Sequence, residues 1–155
     1  MSIDRQKLVA LAVSKVGRPY GYGSKWALSE PSPTGAVDCS GFIRWLYARS
    51  AGIVLPDGSY NQYDATDPCQ DPLPGDVGFF RNSDGLIDHV GMIANDEYMV
   101  EARGEPFNHV ILRPRSKWEA WPEFTGYRRF KAVCSCSTES AVPQTKPPLP
   151  PSSTP

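Results

Sequence analysis

At 155 residues the chain is long enough for one ordinary domain with a sizeable core. Its 40% apolar and 21% charged residues are those of a soluble globular protein, and a net charge of −1 supplies no general attraction to nucleic acid or to an anionic membrane. No apolar run reaches the length of a membrane-spanning helix, and Asp4, Arg5, Lys7 and Lys15 break the apolar segment that a cleaved leader would need. The expectation is synthesis in the cytoplasm, with any action elsewhere depending on another delivery route.

From about Ile3 to Val16, Leu8, Leu11, Ala12 and Val16 recur at helical spacing, and Val9 and Val13 widen the stripe. Gly17 and Pro19 end that helix. The segment GRPYGYGSKW cannot continue it, and LSEPSPTGA, residues 28–36, reads as a loop. Then comes VDCSGFIRWLY, residues 37–47. Phe42 with Leu46, and Ile43 with Tyr47, share helix faces, and Gly52 is the stop. Cys39 therefore falls at a helix N-terminus, where unpaired N–H groups and the helix dipole favour a thiolate.

From Gly52 to Gly75 the chain is rich in turn residues, the pattern of a binding loop, and Tyr60, Gln62 and Tyr63 are suited either to a cleft rim or to a surface connection. After Pro74-Gly75 the period changes to two. Residues 76–81, 89–94, 97–103, 109–112 and 125–132 read as strands joined by short connections, so an antiparallel meander is expected. Helices first and strands after define an α+β domain of residues 1–132 with a sheet of about five strands. Residues 133–155 are rich in Pro and Ser and read as a disordered tail or linker.

The four cysteines are Cys39, Cys69, Cys134 and Cys136. The even count invites a disulfide framework, but the expected lack of a leader argues against one, and the single residue between Cys134 and Cys136 and the two isolated histidines do not fit a zinc site. A nucleophilic cysteine needs a base, and the base an orienting partner. The available bases are His89, at the start of a predicted strand, and His109.

With these residues in place the chain resembles the NlpC/P60 cysteine peptidases, which cut cell-wall peptides. GRPYGYGS is similar to the family's G-x-P-Y-x-x-G-G segment, with Ser24 in place of the last glycine. VDCSGFIRWLY matches its D-C-S-G-F nucleophile motif, LPGDVGFF its P-G-D strand, and DHVGMI its H-V-G-I-Y strand. EYMVEA sets Glu101 where the family commonly has a third catalytic histidine. The resemblance implies a papain-like fold with helices on an antiparallel sheet, and a catalytic group of Cys39, His89 and Glu101. It also implies no cofactor or metal, and a monomer acting on peptidoglycan, with no nucleic acid or membrane partner. The implied bond lies between γ-D-glutamate and the third residue of the stem peptide. Tyr20, Asp38 and Ser40 would flank the substrate's amine end or shape the oxyanion site; helix capping by Asp38 or Ser40 and plain packing of Tyr20 are equally open. A bacteriophage lysin or tail-associated wall hydrolase, or an exported bacterial toxin, would have these features. The rival classes are an amidase or acyltransferase on the same scaffold and a wall-binding module without turnover.

Strand parity constrains Glu101. A two-residue Asn95-Asp96 turn would send Glu101 to the face opposite His89. A three-residue turn, Ala94-Asn95-Asp96, would pair Ile93 with Glu97 and set Glu101 directly across from His89. Asn108 and His109, one strand later, are the rivals for the third role. Asp76 reads as a turn or strand-start residue, and Cys69 as a bystander.

Overall fold

Asp4 opens the first helix by accepting the Lys7 N–H at 3.0 Å, and α1 runs Arg5–Val13 with Leu8 and Ala12 buried four residues apart. It is shorter than its apolar periodicity. Lys15 and Val16 bond back three residues instead of four, and Gly17 at φ 99° turns the chain away. A computed structural model describes residues 2–133, so residues 134–155, nearly all of the expected tail, lie outside the described residues. Val133, the last described residue, is buried in the core.

The second helix, α2, is Cys39–Ala51. Asp38 caps it by accepting the Gly41 N–H at 2.8 Å, and Gly52 ends it in the left-handed conformation at φ 69°. Phe42, Ile43, Trp45, Leu46 and Tyr47 are all fully buried, which makes α2 the central helix of the core. The turn-rich stretch after it is not wholly irregular. Gly58 at φ 89° admits a short helix α3, Ser59–Asp64, followed by strand β1, Thr66–Pro68. Gln62 on α3 is fully buried, with Nε2 donating to the Ser40 and Pro56 carbonyls at 3.0 Å each. Gln62 is therefore a tie between α3 and α2 and not a rim residue. Tyr63 packs on Phe79 and beneath Arg128, leaving Tyr60 as the exposed one of the three.

The remaining elements are β2 Val77–Arg81, β3 Ile87–Ile93, β4 Tyr98–Arg103, β5 His109–Pro114, α4 Arg115–Ala120 and β6 Phe124–Phe130. The strands form one six-stranded sheet in the order β1-β6-β2-β3-β4-β5, and its named pairings are antiparallel. Strands β2 to β5 are the expected meander. The last strand departs from it: α4 carries the chain back, and β6 pairs with β2 and takes β1 on its outer edge.

Alternation along the strands gives the sheet two apolar faces. Val77, Phe79, Val90, Met92, Val100 and Ala102 join α1 and α2 in the main core. Phe80, Ile93 and Met99 face the other way, under Trp118 of α4. Two glycines make room for that indole. A Cβ on Gly91 would fall 2.6 Å from Trp118 Cζ2, and one on Gly78 would fall 3.1 Å from Cζ3.

Asp76, fully buried before β2, is a joint between distant segments. It accepts from the Leu73 N–H at 2.8 Å, from Arg129 Nη2 at 2.9 Å and from Arg5 Nη1 at 3.1 Å. Removing it takes the carboxylate away from two guanidinium groups and a backbone donor. Asp76→Ala is expected to lose roughly 3 kcal/mol of stability, the scale of breaking a buried ion pair from one side. Urea denaturation checks this, and an unchanged midpoint would contradict the structural role.

Candidate active site

Cys39 is the first residue of α2, 8% exposed, so its thiol lies where the helix N–H groups point. The thiol lies close enough to the His89 imidazole of β3 to raise its pKa. The other side of the imidazole is taken: Nε2 lies 2.6 Å from Glu101 Oε1, which leaves Nδ1 for the sulfur. Phe80 stacks on the imidazole at 5.8 Å between ring centroids and 17° between planes, fixing its plane. The structure thus brings Cys39, His89 and Glu101 into one line.

Glu101 is fully buried and surrounded by donors. Besides His89, Trp118 Nε1 donates to Oε2 at 3.0 Å, Arg103 Nη1 lies 3.2 Å from Oε1 and Arg113 Nη1 lies 3.7 Å from Oε2. Burial alone would raise the carboxyl pKa; the hydrogen bond and charge of His89, then Arg103 and Trp118, outweigh it and hold the group ionised below its usual range. For His89, burial alone would lower the pKa. The Cys39 and Glu101 contacts outweigh that and raise it to about 9. The arrangement therefore favours an imidazolium between a sulfur and a carboxylate.

The hairpin that aligns His89 with Glu101 has the expected odd turn but a different register. Met92 pairs with Val100 and Ile93 with Met99, so the turn is Asn95-Asp96-Glu97 and Glu101 stands across from Gly91. The expected pairing of Ile93 with Glu97 is corrected by two residues. The cause is Asn95, whose Oδ1 accepts both the Glu97 and Tyr98 N–H groups, at 2.8 and 2.9 Å. Parity is preserved, and Glu101 reaches His89 diagonally on the same face. The missing side chain of Gly91 leaves that diagonal open. Of the rivals, His109 turns Nδ1 onto the Phe107 carbonyl at 2.7 Å, and Asn108 bonds Glu105 at 3.1 Å.

On the other flank of Cys39, Asp38 caps α2 and Ser40 is buried beside it. The Tyr20 hydroxyl is close enough to Cys39, Asp38 and Lys25 to feel their charges; burial, then Cys39 and Asp38, raise its pKa. Lys25 Nζ contacts both Asp38 oxygens, at 3.0 and 2.8 Å, and Ser40 Oγ at 3.2 Å. A cavity of about 450 Å³ opens beside His89, lined by Phe80, Asp88, Arg103, Glu105 and Trp121 among others. Among the described residues no three His, Cys, Asp or Glu side chains gather as a metal ion would require.

Trp118, Arg103, Arg113 and Lys25 do not stand out in the sequence. Lys25, Arg113 and Trp118 meet partners twelve or more residues away, Arg103 acts through Glu101 on its own strand, and the helix that carries Trp118 is six residues long without a side-chain cap.

The helices, the sheet and this Cys–His–carboxylate line define a papain-like domain. The NlpC/P60 family model matches residues 17–128, and the chain belongs to that family. It is 36% identical over 98 residues to a probable endopeptidase p60 of Listeria innocua, covering 62% of this chain and 19% of that protein. It is 27% identical over 126 residues to a gamma-DL-glutamyl hydrolase of Bacillus subtilis, covering 79% of this chain and 29% of that protein. The chain therefore spans less than a third of either relative. Among solved structures it is similar to the peptidoglycan hydrolase RipB of Mycobacterium tuberculosis, with a TM-score of 0.64 and 27% identity, covering 81% of this chain and 63% of that one. No helix among the described residues is long and apolar enough to cross a membrane.

The two described thiols should differ sharply in reactivity. Burial, then Asp76, pushes the Cys69 thiol up to about 12, so it stays protonated. Brief iodoacetamide treatment at neutral pH should label Cys39 and spare Cys69, read by mass spectrometry of the two peptides. Equal labelling would contradict an activated Cys39.

Proposed function

We propose that this domain is a cysteine endopeptidase that hydrolyses peptidoglycan stem peptides between γ-D-glutamate and the third-position diamino acid. The observation that carries the reading is the line from the Cys39 thiol through the His89 imidazole to the buried Glu101 carboxylate. The names of the B. subtilis and M. tuberculosis relatives support the substrate class.

Cys39 thiolate would attack the γ-carbonyl carbon, with its own backbone N–H at the start of α2 donating to the oxyanion. The C–N bond then breaks as His89 gives its proton to the leaving amine, and a thioester remains. Water next attacks the thioester carbonyl while His89 takes its proton. The C–S bond then breaks with the electron pair leaving on sulfur while the imidazole keeps that proton, which restores the thiolate–imidazolium pair and releases the γ-carboxylic acid. Glu101 touches only His89 and the groups around it, so its role is to position the ring and stabilise its charge.

Digestion of purified walls followed by mass spectrometry tests the bond. The expected fragments carry a new γ-D-glutamyl carboxylate and a new amine on the third residue, and Cys39→Ala should release none. Fragments cut between muramic acid and L-alanine would point to an amidase. Binding to walls without release of fragments would point to a module without turnover.

The pH profile tests the charge state. His89 has a raised pKa, so its proton is present below about pH 9 and is lost above it. The alkaline limb of kcat should fall in that region, because the imidazolium can no longer protonate the leaving amine. Glu101→Gln removes a negative charge that raises the His89 pKa, so its alkaline limb should move to lower pH while an amide oxygen still accepts the ring N–H. Glu101→Ala should lower kcat by about 10² to 10⁴, the range for loss of an orienting carboxylate. A limb unmoved in Glu101→Gln would contradict the electrostatic role.

A further inference from the structure

We infer that Lys25 sets the substrate class of the proposed peptidase: its ammonium occupies the carboxylate beside the nucleophile, so the site takes stem peptides whose L-alanine nitrogen is acylated, as in the glycan-attached wall, and disfavours released peptides with a free N-terminal amine. The inference rests on the peptidase reading. His89 protonates the leaving amine, so the leaving half of the substrate lies on its side of Cys39. The acyl half, D-glutamate and then L-alanine, extends over the other flank. None of Tyr20, Lys25, Asp38 and Asp57 lines the cavity beside His89. They surround that other flank.

The alanine nitrogen is where the two substrate classes differ by a full charge. A free ammonium there would seek a carboxylate, and Asp38 is the carboxylate adjoining the nucleophile. It is already satisfied. Lys25 Nζ contacts both of its oxygens, at 3.0 and 2.8 Å, and the Gly41 N–H takes Oδ1 at 2.8 Å. The same ammonium reaches Ser40 Oγ at 3.2 Å and Asp57 Oδ1 at 3.1 Å. Burial alone would favour neutral Lys25, but the hydrogen bonds and charges of Asp38 and Asp57 prevail, so the group stays charged. Its alkyl stem lies against the bare Cα of Gly41, where an added Cβ would come 3.0 Å from Lys25 Cδ and 2.8 Å from Asp38 Oδ1. The chain thus supplies its own ammonium where a substrate amine would dock, and a second one would meet like charge. An acylated nitrogen carries no charge and meets no such repulsion.

The test compares kcat/KM for a synthetic L-alanyl-γ-D-glutamyl-diamino-acid peptide with that for its N-acetyl form. The full chain should favour the acetylated peptide by roughly 10- to 100-fold, the scale of a like-charge contact at a partly solvated site. Lys25→Met keeps the stem against Gly41 and frees Asp38, so the ratio should fall to near or below one. Lys25→Arg should retain the wild-type preference, and Lys25→Gln repeats the neutral case should Lys25→Met fail to fold. A wild-type enzyme that cuts the free-amine peptide as well as the acetylated one, or a ratio unchanged in the neutral variants, overturns the inference and leaves the peptidase reading intact. Failure of the wild type to cut either peptide at the γ-bond overturns both.

Discussion

Everything in the site depends on a negative charge kept inside the protein. Glu101 is fully buried, and an isolated carboxylate there would take up a proton. It stays ionised because His89, Trp118, Arg103 and Arg113 surround it. Together with Cys39, that charge keeps the neighbouring imidazole protonated to about pH 9, between the thiol and the carboxylate. A glutamate at this position therefore implies its own surroundings. A neutral third residue would have no need of two arginines and an indole.

The packing on this face of the sheet serves that arrangement. Trp118 does two things: its N–H holds Glu101, and its ring stacks on Phe80 at 4.4 Å, which stacks on His89. The indole fits so close to the strands only because positions 78 and 91 lack side chains. Arg103 and Arg113 both lie against the Trp121 ring, which keeps them beside the carboxylate. The Cys39–His89–Glu101 line and the second apolar cluster are one structure. A change in α4 reaches Cys39 through two aromatic rings and a histidine.

Much of this was legible in the sequence, and the unread part has a common cause. The cysteine at a helix start, the strand-borne histidine, the four-strand meander and the odd parity of the β3–β4 turn all follow from local pattern. The register was displaced by two because one side-chain oxygen of Asn95 organises the turn, which strand periodicity does not reveal. The return of β6 beside β2 depends on α4, which has neither the length nor the cap that announces a helix. The order within residues 59–68 rests on Gln62 reaching Ser40, twenty-two positions earlier. Lys25 is likewise invisible until Asp38 and Asp57 are seen around it. Motif residues are readable because their neighbours in the chain are also their neighbours in space; the groups that tune them come from elsewhere.

Cys39 and the Glu101 carboxylate together hold His89 as a cation in the resting protein. Heteronuclear NMR of the His89 ring nitrogens across a pH titration measures it directly. The ring should stay doubly protonated through neutral pH and release its proton near pH 9. A ring that titrates near the ordinary value of 6.5, unchanged when Glu101 is replaced by Gln, would contradict it.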